Sequence, residues 1–147
     1  MKPTVMGMAL AGLSACGIVY NAVDQMDPEQ RAVWIASQNT DTLCATYAGG
    51  AAVGRDTDMM LEVELIERGL ASCDGRPVGV VSRGLRGSAT FPRAQTGTLV
   101  DDRDCSGFSS AADAQRFFLA RGGPARDAHA LDPDGDGLAC TWGQALG

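Results

Sequence analysis

The apolar positions of this chain change period from block to block, and the blocks predict its elements. Residues 5–13 are almost all apolar. At about ten residues the run is too short for a bilayer, which takes about 20. Lys2 stands before it, and Ser14 and Ala15 follow it, ahead of Cys16. A charge, a short apolar core and small residues make the layout of a secretory signal, here over 1–15. Asp27-Pro28-Glu29-Gln30 then predicts a helix start, with Asp27 as N-cap, Pro28 at the first helical position and Gln30 completing a capping box. That helix is expected to reach about Ser37 with Trp34 as its apolar anchor, so that 16–38 forms a tether and helix.

Residues 39–74 read as a helical hairpin. Thr40 or Asp41 can cap a short helix through Leu43, Cys44 and Tyr47, which Gly49, Gly50 and Gly54 break. Asp56 or Thr57 then starts a second helix, with Met59, Val63, Ile66 and Leu70 at three- and four-residue spacing. Gly69 falls where a C-cap belongs. Glu62, Glu64 and Glu67 read as a solvated face of this helix rather than as an acid/base pair. Val78, Val80 and Val81 predict a short strand over 77–82. From 83 to 101 the chain is rich in Gly, Ser, Thr and Arg without periodicity, and 75–103 reads as a flexible linker.

The pattern sharpens over 104–142. Ser110 with Asp113 three residues on is a capping-box-like start, and Ala114, Phe117 and Phe118 make an apolar stripe. Gly122, Gly123 and Pro124 stop that helix. Then comes Asp132-Pro133-Asp134-Gly135-Asp136-Gly137-Leu138. Acids at every second position of a curling loop can turn their carboxylates to one centre, and calcium wants about six to eight hard oxygen ligands. Asp132, Asp134 and Asp136 fill the first, third and fifth places of an EF-hand-type loop. Gly137 takes the sixth, where a sharp turn is needed, and the backbone carbonyl of Leu138 the seventh. With no cation the three carboxylates would repel one another.

Composition makes such a centre useful. Nineteen glycines and 5% aromatic residues leave little bulky apolar surface to bury, so a chain of this size needs staples. Setting Cys16 aside leaves Cys44, Cys73, Cys105 and Cys140, an even number, which in an exported chain implies disulfides in one of three connectivities. The sequential pairing, Cys44–Cys73 and Cys105–Cys140, is preferred because each pair brackets a compact segment. Each closure stabilises by roughly 3–4 kcal/mol on chain-entropy reasoning. The gaps of 28, 31 and 34 intervening residues do not suit zinc, which favours close pairs. The net charge is −6, with the one lysine in the segment expected to be removed. No basic patch offers phosphate contacts, so nucleic acid is not an expected partner.

Two resemblances add to these readings. Leu13-Ser14-Ala15-Cys16 resembles the bacterial lipobox, which implies cleavage before Cys16, its lipidation, and anchoring at the periplasmic or outer-membrane face of the envelope. Asp104-Cys105-Ser106-Gly107-Phe108, the 114–118 helix and Leu131 through Cys140 together resemble the Excalibur calcium-binding domain, a small extracellular module with the core pattern Asp-x-Asp-x-Asp-Gly-x-x-Cys-Glu. That resemblance implies that Asp132, Asp134 and Asp136 bind Ca2+ and that Cys105 pairs with Cys140. Where the family carries its glutamate this chain has Thr141, which can offer a hydroxyl. Water, Asp104 or Asp127 can fill the remaining place. Loss of a carboxylate implies weak affinity, on the order of 0.1–1 mM.

The expected fold is small and mainly α, with two disulfide-stapled mini-modules (a helical hairpin, then a helix with an EF-hand-like loop) on a flexible linker. The expected function is non-catalytic calcium binding by an exported lipoprotein. No nucleophile has an evident partner, no phosphate loop follows a strand, and His129 reads as a surface or packing residue. Two alternatives stay open: an accessory subunit docking on an envelope protein, and a calcium-dependent partner of a nuclease.

Overall fold

A computed structural model of the chain describes residues 22–49, 53–92 and 103–147. The signal segment 1–15, Cys16 and residues 93–102 of the expected linker lie outside the described residues.

Helix α1, Pro28–Ser37, starts as the sequence predicts: the Asp27 carboxylate accepts from the Gln30 N–H at 2.9 Å with Pro28 in the first turn. Helix α2, Thr40–Ala48, opens one residue ahead of expectation. Asn39 is its cap and accepts from the Thr42 N–H at 2.8 Å. Helix α3, Arg55–Glu67, has Gly54 in the N-cap position and no cap side chain of its own. Asp24 supplies one from thirty residues away, accepting from the Gly54 N–H at 2.8 Å and the Thr57 hydroxyl at 2.5 Å. At the other end Gly69 (φ 79°) closes the helix as expected, with Gly69 N–H on the Ile66 carbonyl and Leu70 N–H on the Leu65 carbonyl.

Helix α3 is the axis of the molecule. It packs against α1, α2, the short helix α4 (Val80–Leu85) and helix α5 (Ala111–Ala120), so its buried residues run around the whole cylinder, from Thr57 through Leu61 and Glu62 to Leu65. That overturns the solvated-face reading for Glu62 and Glu64, while Glu67 does lie exposed. Glu62 is 0% exposed. Glu64 pairs with Arg68 at 2.7 Å, and Arg116 of α5 meets both Glu64 and Glu67.

The strand expected over 77–82 is also corrected. Strand β1 (Ser72–Cys73) pairs antiparallel with β2 (Arg76–Pro77), and the chain then turns at Gly79 (φ 87°) into α4. Val80 and Val81 favour a strand, but the N–H groups of Val81 and Ser82 reach the buried Glu62 carboxylate at 2.8 and 2.9 Å. A helix start needs acceptors for its first N–H groups, and here a residue of α3 provides them.

Over 75–92 the expected flexible linker instead carries β2 and α4 and lies on the C-terminal segment. Arg86 donates to the Gly143 carbonyl at 2.9 Å, and the Phe91 N–H donates to the Gly135 carbonyl at 2.9 Å. Helix α5, capped by Ser110 as expected, packs on α1 and α3. The two expected modules therefore share one core, in which Leu43, Met59 and Leu65 meet Phe118, Leu131 and Trp142. The fold class stands as read: small, mainly helical and twice stapled. Cys44–Cys73 ties α2 to β1, with Cα atoms 5.0 Å apart. Cys105–Cys140, at 5.6 Å, ties the one-turn 3-10 helix Cys105–Gly107 to the end of the acidic loop. No helix among the described residues is long and apolar enough to cross a membrane.

Candidate metal centre

The acidic loop leaves the α5 region through a second 3-10 turn, Gly123–Ala125, and is braced before it begins. Asp127, buried and with φ 32°, accepts from the N–H groups of Leu131 and Asp132 at 2.8 and 3.3 Å. The loop then closes on its own first side chain. Asp132 is 2% exposed. Its Oδ1 accepts from the Gly135 and Asp136 N–H groups at 3.0 Å each, and its Oδ2 from Gly137 at 2.8 Å. Gly135 and Gly137 take φ of 74° and 87°, which glycine reaches without penalty. A Cβ at Gly137 would also lie 2.6 Å from the Phe91 ring, so the strap at 86–92 holds the turn from outside.

Asp136 is the second buried acid of the loop. Its Oδ1 accepts from the Leu138 N–H at 2.9 Å and its Oδ2 from the Gly87 N–H at 2.8 Å. Asp134 is exposed. One carboxylate oxygen from each of Asp132, Asp134 and Asp136 lies within 4.8 Å of the other two, so the three acids can hold a metal ion between them. A carboxylate has about four acceptor sites. Three donors reach Asp132 and two reach Asp136, which leaves oxygen sites on both for a cation. Burial pushes the Asp132 carboxyl up to about 6; the Gly137 N–H pulls against that, and Asp134 and Asp136 add to it.

The other expected site residues fall as follows. Leu138 is buried at the loop exit. Thr141 is exposed, in the N-cap position of helix α6 (Trp142–Ala145), and its carbonyl accepts from Gln144 and Ala145. Asp104 caps the Cys105 turn, accepting from the Ser106 N–H at 2.8 Å, and Asp127 braces the loop start, so both have other tasks than the one the sequence offered them. His129 stands edge-on to Phe117, ring centroids 5.0 Å apart. Sequence reasoning missed Gln115, which is 0% exposed and accepts from the Ala139 N–H at 2.5 Å, fixing the chain just past the loop. It missed Gly87 and Phe91 too, because nothing local marks a strap that acts 40 to 50 residues away in sequence.

Comparison with family models, with curated proteins and with solved structures finds no match to this chain.

Proposed function

We propose that this protein is an exported, lipid-anchored calcium-binding protein of the bacterial envelope, in which calcium acts structurally and no reaction is catalysed. The observation that carries this reading is the convergence of the Asp132, Asp134 and Asp136 carboxylates in a loop already curled by its own backbone. The donors are all hard oxygens, with no imidazole or thiolate among them. That set suits calcium or magnesium rather than zinc or copper. A curled loop with backbone and water completing the shell suits the larger, geometrically tolerant calcium ion. Export is supported by the signal layout of 1–15 and by four cysteines paired in two disulfides. Lipidation rests on the lipobox-like approach to Cys16.

A cation bound by the folded state alone stabilises it in proportion to the logarithm of its excess over the dissociation constant. The test is thermal unfolding of the oxidised protein at fixed ionic strength with calcium, magnesium or chelator. Calcium at millimolar concentration is expected to raise the midpoint, and magnesium to raise it less. Midpoints that coincide in all three would overturn the proposal.

One observation favours a second reading, a subunit docked on an envelope protein. Between α1 and α5 an open groove of about 430 Å³ is lined by Ala32, Val33, Ala36, Phe108 and Phe117, and Val33 is 66% exposed. A photo-crosslinking residue at position 33 would capture one defined envelope protein on this reading, and nothing reproducible otherwise.

A further inference from the structure

We propose that Cys105–Cys140 is a redox latch on the acidic loop: a dithiol reductant opens it before Cys44–Cys73, and opening it frees the loop. Its consequence for calcium rests on the function proposed above; the order of opening does not.

The two bridges are set in different surroundings. Cys73 is 1% exposed and belongs to the core, on the β1–β2 hairpin that Arg76 pins to Asp58 at 3.0 Å. Cys105 is exposed, in a single 3-10 turn none of whose residues is buried. Thiol–disulfide exchange requires a thiolate to reach a sulfur, and exposed bridges are the ones most readily reduced. Backbone conformation adds to the difference. Cys140 has φ 54°, the left-handed region that a residue with a Cβ disfavours. Opening the bridge removes one of the constraints that hold it there.

What Cys140 holds is the base of the loop. Its N–H donates to the Leu131 carbonyl at 2.7 Å, joining the residue before Asp132 to the residue two after Leu138. The inward set of Asp132 depends on the N–H groups of Gly135, Asp136 and Gly137 staying in place. Relaxation at Cys140 lengthens the closing bond and lets those amides part from the carboxylate.

The chemistry balances with a dithiol as the only co-reactant. Its thiolate attacks the Cys105 Sγ, forms a mixed disulfide and expels the Cys140 Sγ as a thiolate. Its second thiolate then attacks the mixed disulfide, releasing the Cys105 thiolate and leaving the reductant oxidised. Two electrons pass to the bridge, and the two cysteine sulfurs take up protons to the extent their pKa values dictate. Linkage makes the latch reciprocal: whatever factor bridge opening takes from calcium affinity, calcium takes from the equilibrium of bridge opening.

The test uses the intact oxidised chain, treated with graded dithiothreitol, alkylated and mapped by peptide mass. Cys105 and Cys140 are expected to be modified at least tenfold faster than Cys44 and Cys73. The singly opened species is expected to show faster hydrogen exchange at Gly135 to Gly137 and at least tenfold weaker calcium binding. In a dithiothreitol redox buffer at equilibrium, saturating calcium is expected to lower the opened fraction of this bridge by the factor that opening takes from calcium affinity. Opening of Cys44–Cys73 first, or both bridges together, would overturn the proposal, as would loop amides that exchange at the same rate with the bridge open. Should the intact chain bind no calcium, the function proposed above fails, while the order of reduction and the exchange rates still decide the latch.

Discussion

Glu62 and Asp132 are both acids taken almost wholly out of water, 0% and 2% exposed, and they meet that condition differently. Around Glu62, Oε1 accepts from the Tyr47 hydroxyl and the Val81 N–H, and Oε2 from the N–H and hydroxyl of Ser82. With the Tyr47 proton shared with the Pro77 carbonyl at 2.8 Å, these donors still approach the about four acceptor sites a carboxylate offers. Asp132 has three donors, all from its own loop, and two like-charged groups within 4.8 Å. The first acid is solvated in full by α2 and α4 and ties them to α3. The second has acceptor capacity left and neighbours of its own sign, so it can take a cation. A buried acid marks a binding site only when its donors fall short in this way.

The sharpest way to break this contrast is at Glu62. Glu62→Ala leaves the N–H groups of Val81 and Ser82 and the Ser82 hydroxyl without this acceptor, while the Tyr47 hydroxyl keeps the Pro77 carbonyl; it uncaps α4 and is expected to destabilise the calcium-free protein by about 3–5 kcal/mol. Urea denaturation measures it. Glu62→Gln keeps the shape and one acceptor oxygen, and should fall between. A loss below about 1 kcal/mol for the alanine variant would remove Glu62 from the fold's framework.

Asp132→Asn addresses the other pole. With calcium a hundredfold above the dissociation constant, the parent should gain about 2.7 kcal/mol, read as the difference between denaturation with calcium and with chelator. The variant is expected to lose that difference while still folding. A variant that keeps it would place the cation elsewhere.

Acidity offers a further test of Asp132. The folded-state pKa of Asp132 is raised to about 6 from an ordinary value near 4. Between those two values, and without metal, the folded state therefore holds a proton that the unfolded state has released. Its stabilising contribution is present below about pH 4 and is lost as pH rises through about 6. Calcium must displace that proton, so calcium stabilisation is expected to grow as pH rises from about 4 to above 6. Paired melts with calcium and chelator across that window measure it, and a pH-independent difference would contradict it.

The smallest expected effect has the most telling sign. Asp134 is exposed, so Asp134→Asn should leave calcium-free stability within about 0.5 kcal/mol or raise it slightly, because a like charge is gone. Calcium affinity should drop about tenfold. Equal changes with and without calcium would mean that the three acids share no centre.

Local signals were legible and long-range ones were not. Asp27 with Pro28, Ser110 with Asp113, Gly69 after α3 and the Asp132–Asp134–Asp136 spacing each act within a few residues, so the sequence states them outright. Glu62 and the helix it caps were misread together, from one cause. The helix start at Val80 depends on a carboxylate nearly twenty residues back, and without that acceptor the valines speak for a strand. The strap at 86–92 was read as linker for the same reason: its glycine and its aromatic ring gain meaning only against Asp136 and Gly137. Thr141 shows the converse. Its identity as a residue without a carboxylate is plain in the sequence, while its exposed place at α6 comes only from the fold.

Calcium titration calorimetry on the oxidised, chelator-washed chain tests the central claim most directly. One site per chain is expected, with a dissociation constant on the order of 0.1–1 mM, and no heat from the Asp132→Asn variant. Absence of heat from the parent at millimolar calcium, or equal heat from the variant, would contradict a calcium centre at Asp132, Asp134 and Asp136.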